Sequence, residues 1–160
     1  MSITVGTDAY DMVANADAYW LDRANADWAS SSLGDKEVNL RKATDWIERN
    51  FRFRGVRATG TQRLAWPRER AFDDDGYAIG LTSAPLRVKE SMYIVADIYR
   101  AGTNDLEGIV TSNDASVVKQ KVDVIEIEYD ANSRIRGADV LSHIYELLGP
   151  TITANSLLRT

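Results

Sequence analysis

The sequence predicts a mainly α protein: a bundle of about four helices with a small β element near residues 118–129 and an extended C-terminal tail. Three observations predict it. Apolar residues recur at helical spacing in separate stretches, and Gly or Pro closes most of those stretches. Only residues 118–129 are dense in β-branched side chains at strand-like spacing. A length of 160 residues with a 44% hydrophobic fraction suits one domain that can bury its own core. Residues 1–148 read as the body and 149–160 as a C-terminal extension.

Taken in order, Ser2 to Val5 is short and β-branched, an edge strand or an ordered tail. From Val13 to Arg23 the spacing of Val13, Ala16 and Trp20 is helical, and Tyr19 widens the buried face. Asn25 to Ser32 reads as a turn holding Trp28. Burying that indole is worth about 2–3 kcal/mol, enough to tie the turn to the core. Asp35 is the expected N-cap of a helix running to about Asn50. Val38, Ala43, Trp46 and Ile47 face inward, Leu40 meets a second partner, and Arg41, Lys42, Asp45, Glu48 and Arg49 form the outer face.

The stretch that follows, Asn50 to Arg70, combines aromatic residues (Phe51, Phe53, Trp66), breakers (Gly55, Gly60, Pro67) and arginines. From Arg49 to Arg70 there are seven Arg and one Glu, a local net of +6, while the rest of the chain carries a net of −11. The breakers exclude a regular helix, so this is an anchored irregular connection, the kind of segment that carries function. Pro67 forces Trp66 into an extended or turn conformation.

Asp73 to Asp75 precede Gly76, a turn signal, and a short hairpin or loop spans Trp66 to Ile79. The three aspartates lack the alternate spacing and distant Glu of a calcium-binding EF-hand, so they read as a solvated turn or as partners for nearby arginines. Ser83 or Ala84 caps a third helix with Pro85 at its first position. Val88, Met92, Val95 and Tyr99 share a stripe that Ile94 and Ile98 widen, which makes it the central helix of the core. Leu106 to Val117 is a connection. In the strand 118–129 the apolar parity slips at Val124-Ile125, so either both faces are covered or a bulge sits there. A last helix from Ala138 to Leu148 turns Val140, Leu141, Ile144 and Leu148 inward and stops at Gly149-Pro150.

The inventory disfavours an enzyme. There is no cysteine, hence no disulfide and no thiolate metal site, a composition that suits a reducing cytoplasm. The single histidine, His143, reads as a surface or interface residue. No G-x-S-x-G, Walker or G-x-G-x-x-G motif occurs, and no cofactor is expected. The chain starts without a signal-peptide pattern, and no apolar run approaches the ~18 residues of a membrane span. A net charge of −5 argues against whole-surface binding to nucleic acid but leaves a local patch open.

An ordered series of residues carries a resemblance: Ala16-Asp17-Ala18-Tyr19, Asp27-Trp28-Ala29, Lys36, Ala43-Thr44, Phe51-Arg52-Phe53-Arg54-Gly55, Gln62 and Leu64-Ala65-Trp66-Pro67-Arg68. Over about residues 10–148 the chain resembles small tailed-phage proteins labelled DnaT-like single-stranded-DNA-binding proteins. Members of that group look like head–tail connector (adaptor) proteins. The resemblance implies a helical bundle with a small β element, assembled as a ring, commonly a dodecamer, in the neck of the virion after synthesis in the host cytoplasm. Its implied partners are further copies of itself, the portal protein and the next tail component. Double-stranded DNA would pass through the channel without sequence specificity.

Under that implication Arg52, Arg54, Arg57 and Arg68, with Glu126 and Glu128 as acidic counterparts, are candidates for contact between subunits. Intrachain pairing of the same arginines is the plainer expectation. Ile152, Leu157, Leu158 and Arg159 in the tail are candidates for portal contact, against a frayed end. The alternative function is a single-stranded-nucleic-acid module in which Arg52, Arg54 and Arg57 supply cations and Phe53, with Phe51, supplies stacking faces; burial of both phenylalanines in the core, with Trp66 as a further anchor, is the favoured expectation and would remove that platform.

Overall fold

The structure, a computed structural model, describes residues 2–102, 120–122, 125–127 and 142–153; the two short strands among these are described as backbone only. It is mostly helical, as expected. The elements are α1 (Val13–Leu21), α2 (Ala26–Ser30), α3 (Leu33–Asn50), β1 (Val56–Arg57), β2 (Arg68–Glu69), α4 (Leu86–Arg100), β3 (Gln120–Val122), β4 (Ile125–Ile127), a helix α5 at 142–148 and a 3-10 turn at Gly149–Thr151.

The long pair α3 and α4 is the frame. Lys42 lies over the Tyr99 ring and Thr44 faces Met92, so numbering rises along one helix as it falls along the other: the pair is antiparallel. Leu40, Ala43, Trp46 and Ile47 of α3 are buried, as are Val88, Met92, Val95 and Ala96 of α4. Each large side chain so buried contributes about 1.5–3 kcal/mol, which is why these two helices dominate the core. Trp46 meets Phe51 edge-on, and Phe51 meets Tyr145 of α5, closing one end of the pair. Ile144 and Leu148 of α5 are fully buried there.

Several details depart from the sequence reading, each for a local reason; one is that Pro85, expected as the first residue of α4, is its N-cap, with Leu86 first. Ser32, not Asp35, caps α3: its Oγ accepts from the Asp35 N–H at 3.1 Å and donates to the Asp35 carboxylate at 2.7 Å. Asp35 is the third residue of a reciprocal capping pair rather than the cap. Val38 is 46% exposed, because Leu40 takes the inward position. The turn at Asn25–Ser32 contains a helical turn, α2, capped by Asn25, whose side chain accepts from the Trp28 N–H at 2.9 Å. The single strand near 118–129 is a hairpin: β3 and β4 pair antiparallel with Val122 opposite Ile125. Val122 and Ile125 thus belong to two different strands, which accounts for the parity slip near Val124-Ile125.

Two buried polar nodes fasten the N-terminal segment. The Tyr10 hydroxyl donates to Glu48 of α3, and the same Glu48 oxygen accepts from the Ala65 N–H at 2.7 Å. Glu48, expected on the outer face, is therefore drawn inward by two donors. Asp11, 4% exposed, accepts from the Tyr93 hydroxyl (2.6 Å), the Met12 N–H (2.9 Å) and the Asn15 amide (2.7 Å), with the Lys89 ammonium at 3.3 Å. Burial works against its charge, but these donors and Lys89 prevail and hold the carboxyl below the ordinary range. The same burial and hydrogen bond push the Tyr93 hydroxyl pKa up.

The C-terminal extension begins inside the fold. Thr151 is buried, and the Phe53 and Ile152 backbones form an antiparallel bridge. Arg54 N–H donates to Thr151 O at 2.9 Å and Thr153 N–H to Arg52 O at 2.8 Å. Residues 151–153 are thus laced to 52–54. The expected connection at Leu106–Val117 and the inward positions Val140 and Leu141 lie outside the described residues.

Candidate functional site

The arginine-rich stretch folds back on itself as a small platform at the end of the frame where α3 finishes and α4 begins. Its two short strands are antiparallel, with Val56 opposite Glu69 and Arg57 opposite Arg68. Gly55 allows this closeness. It has φ +77°, and a Cβ there would run into the backbone of Glu69 to Ala71. Gln62 fixes the intervening loop by accepting from the Thr59 N–H (2.9 Å) and donating to Leu64 O (2.8 Å) and Pro67 O (2.9 Å). The Trp66–Pro67 peptide is cis.

The aromatics of the stretch are anchors. Phe51, Phe53 and Trp66 are 2%, 7% and 1% exposed, and Phe53 meets Trp66 edge-on with ring centroids 5.4 Å apart. Gly80, at φ +63°, lets the chain pass directly over the Trp66 ring. Phe53, expected in the alternative function as a stacking face, is therefore not presented to a base. Its apolar ring gains more from the core than from solvent.

The arginines divide into two groups. Arg68 is engaged inside the chain: its guanidinium donates to Arg54 O (2.6 Å), Gly55 O (2.6 Å), Ala65 O (3.1 Å) and Phe53 O (3.3 Å). The planar five-donor fork of arginine suits such a cluster of carbonyls. Burial and the neighbouring Arg57 pull its pKa down, against the opposing pull of Glu48 and Tyr10. Arg54 donates to Ile152 O at 3.0 Å and pairs with Asp74 at 3.1 Å. Of the arginines expected at a subunit contact, these two have intrachain work, and Asp74 is the acidic partner expected for a nearby arginine.

Arg52 and Arg57 belong to the second group, together with Arg70, which the sequence reading had not singled out. All three are exposed, and none makes an ion pair with a described residue. Arg70 carries a positive φ of 55° directly after β2, a backbone feature with no sequence signal in a non-glycine residue. Arg63 is set apart, 3.6 Å from Asp8.

The remaining candidates fall elsewhere. Ile152 is half-buried and held by the lacing to Phe53. Leu157, Leu158, Arg159 and Glu128 lie outside the described residues. Glu126 is described as backbone, opposite Lys121 in the hairpin. His143 is exposed on α5. Among the described residues no group of three His, Cys, Asp or Glu is placed to hold a metal ion, and no helix is long and apolar enough to cross a membrane.

What the platform offers chemically is fixed positive charge on a stiff base. Its carbonyls are tied down from within by Arg68, its rings are turned inward, and Arg52, Arg57 and Arg70 remain outward. No curated protein matches this chain, and no solved structure does. A family model described as "Putative DnaT-like ssDNA binding protein" matches residues 2–159, and the chain belongs to that family.

Proposed function

We propose that this protein is a non-enzymatic structural component of a tailed-phage virion, a head–tail connector that forms a ring beneath the portal. In this reading it extends the DNA channel and docks the next tail component. The observation that supports it is the platform's division of labour. The aromatics and Arg68 hold the backbone, while Arg52, Arg57 and Arg70 stand exposed on a protein of net charge −5. Outward cations on a backbone held from within, on an otherwise acidic chain, suit a heterologous contact in which one patch meets a different, acidic patch on the next copy. Native mass spectrometry of the chain mixed with its cognate portal protein tests this. Multiple copies bound per portal ring are expected, and the triple variant Arg52→Glu, Arg57→Glu, Arg70→Glu should abolish them. A chain that stays monomeric and ignores the portal would sink the proposal.

A second reading is single-stranded-DNA binding, which the family's description suggests. The same three exposed arginines favour it, whereas the inward phenylalanines remove the stacking contribution. Binding would then be electrostatic. Neutralising three phosphates gives a log K against log salt slope of about −2. Fluorescence anisotropy with a labelled oligothymidine over a salt series measures it. Absence of binding at low salt eliminates this reading without touching the first.

A further inference from the structure

At the end of the frame opposite the platform, α1 and α2 enclose a cleft of about 610 Å³. Its walls are apolar: the indoles of Trp20 and Trp28, with Ala18, Leu21 and Ala29. Ala18, Leu21 and Ala29 are exposed, Leu21 to 77%. Asp17 and Lys36 border it as an ion pair at 2.9 Å, and Asp17 also accepts from Trp28 Nε1 at 2.8 Å. These bonds make the walls stiff, so the cleft is preformed. On α2, Asp27 lies between Ala26 and Trp28, which both line the cleft, and its own side chain is 80% exposed. Arg100 gives Asp97 its closer contact, 2.6 Å, and reaches Asp27 only at 3.8 Å, leaving that carboxylate acceptor capacity for another cation.

We infer that this cleft receives the C-terminal segment Leu157-Leu158-Arg159 of a second copy of the chain. The chemistry matches: two adjacent leucines for the apolar walls and one arginine for Asp27. The reach argues for a second copy. Thr153 is bonded to Arg52, just beyond the C-terminal end of α3, whereas Lys36 borders the cleft near the N-terminal end of that helix. From Lys36 to Asn50 the helix measures about 21 Å. Leu157 and Leu158 lie four and five residues past Thr153, at most about 14 and 18 Å even when fully extended. A chain's own leucines would approach its own cleft only with every residue after Thr153 fully extended along α3, so a second copy is the less constrained donor of the segment. Thr153, from which the segment continues, and the cleft lie at opposite ends of the frame, so a contact between copies joins two different surfaces, head-to-tail, and is able to propagate around a ring. The contact goes beyond the connector reading and does not depend on the exposed arginines.

The test uses two full-length variants. One plugs the cleft (Ala18→Arg with Ala29→Arg, both at exposed positions), and the other spoils the segment (Leu157→Asp with Leu158→Asp). A fluorescein-labelled peptide of residues 154–160 should bind the segment variant saturably and bind the plugged variant at least tenfold more weakly. With Arg52, Arg57 and Arg70 also changed to glutamate in both variants, so that only the cleft contact is left, sedimentation should show that each variant alone is monomeric and that the mixture stops at a one-to-one dimer. Circular dichroism confirms that the plugged variant is folded. Peptide binding indifferent to the plug, no peptide binding, or a mixture that stays monomeric overturns the inference. Loss of portal assembly in the arginine-to-glutamate triple with peptide binding retained would separate this contact from the one proposed for the arginines.

Discussion

The two ends of the α3–α4 frame are finished in different ways. At the platform end, side chains bond to backbone: Arg68 to four carbonyls, Gln62 to three main-chain groups, Arg54 to Ile152. At the cleft end, side chains bond mostly to each other, Trp28 to Asp17 to Lys36 and Asn25 to Asp97, and apolar surface stays open. The first arrangement seals irregular backbone that would otherwise be buried without partners. The second leaves a bonded rim around an open cleft. Substitutions at the platform should therefore cost stability, whereas those at the exposed cleft wall and the outward arginines should cost association.

The largest expected effect is at Trp66. Trp66→Ala removes a ring that is 1% exposed and packed between Phe53 and Gly80, and should cost about 3–5 kcal/mol, read as a drop in the urea midpoint. Next is Arg68→Ala, expected to cost about 2–3 kcal/mol by leaving partly buried carbonyls without donors. Arg68→Lys should recover less than half of that, since an ammonium cannot span four carbonyls as a fork does. Full recovery by lysine would show that charge, not geometry, holds the platform.

A smaller effect, about 1–2 kcal/mol near neutral pH, is expected for Asp11→Asn, which loses charge-assisted bonds to Tyr93 and Lys89. The Asp11 carboxyl binds protons less readily folded than unfolded. Its contribution is therefore complete above the unfolded value of about 4 and is lost as pH falls through the lower folded value. The stability gap between wild type and Asp11→Asn should narrow over that acidic window; a gap constant with pH would mean the bonds do not depend on charge. Smallest of all, the triple Arg52→Glu, Arg57→Glu, Arg70→Glu should shift monomer stability by within about 0.5 kcal/mol, measured by thermal melting. A large loss there would place those arginines with Arg68 and collapse the contrast between the two groups.

The frame was legible because periodicity reports burial directly. Val88, Met92 and Val95 share a helical stripe, and all three are buried. Trp28 was legible as an anchor for the same reason, its size making exposure costly. Arg68 was not, because nothing in its neighbourhood of sequence distinguishes a guanidinium that meets carbonyls at positions 53, 54, 55 and 65 from one that meets solvent. Glu48 was misplaced likewise: helical phase puts it outward, and donors from Tyr10 and Ala65, which are distant in sequence, draw it in. The hairpin was half legible. The slip at Val124-Ile125 marked an irregularity, but parity alone does not tell a bulge from a reversal. For the site, charge density located the platform, and burial decided which of its residues face out.

The lacing of residues 151–153 to 52–54 sets the address from which the rest of the chain departs. Thr153, the last described residue, is bonded to Arg52, one of the outward arginines. A partner gripping the last residues is thereby leashed next to that cation, and the second contact forms at an effective concentration in the millimolar range. Two weak attachments joined this way behave as one avid one. Assembly through the tail segment and the arginines together would set in over a narrow range of protein concentration, and cutting the leash between residues 153 and 154 would broaden that onset even with both binding surfaces intact.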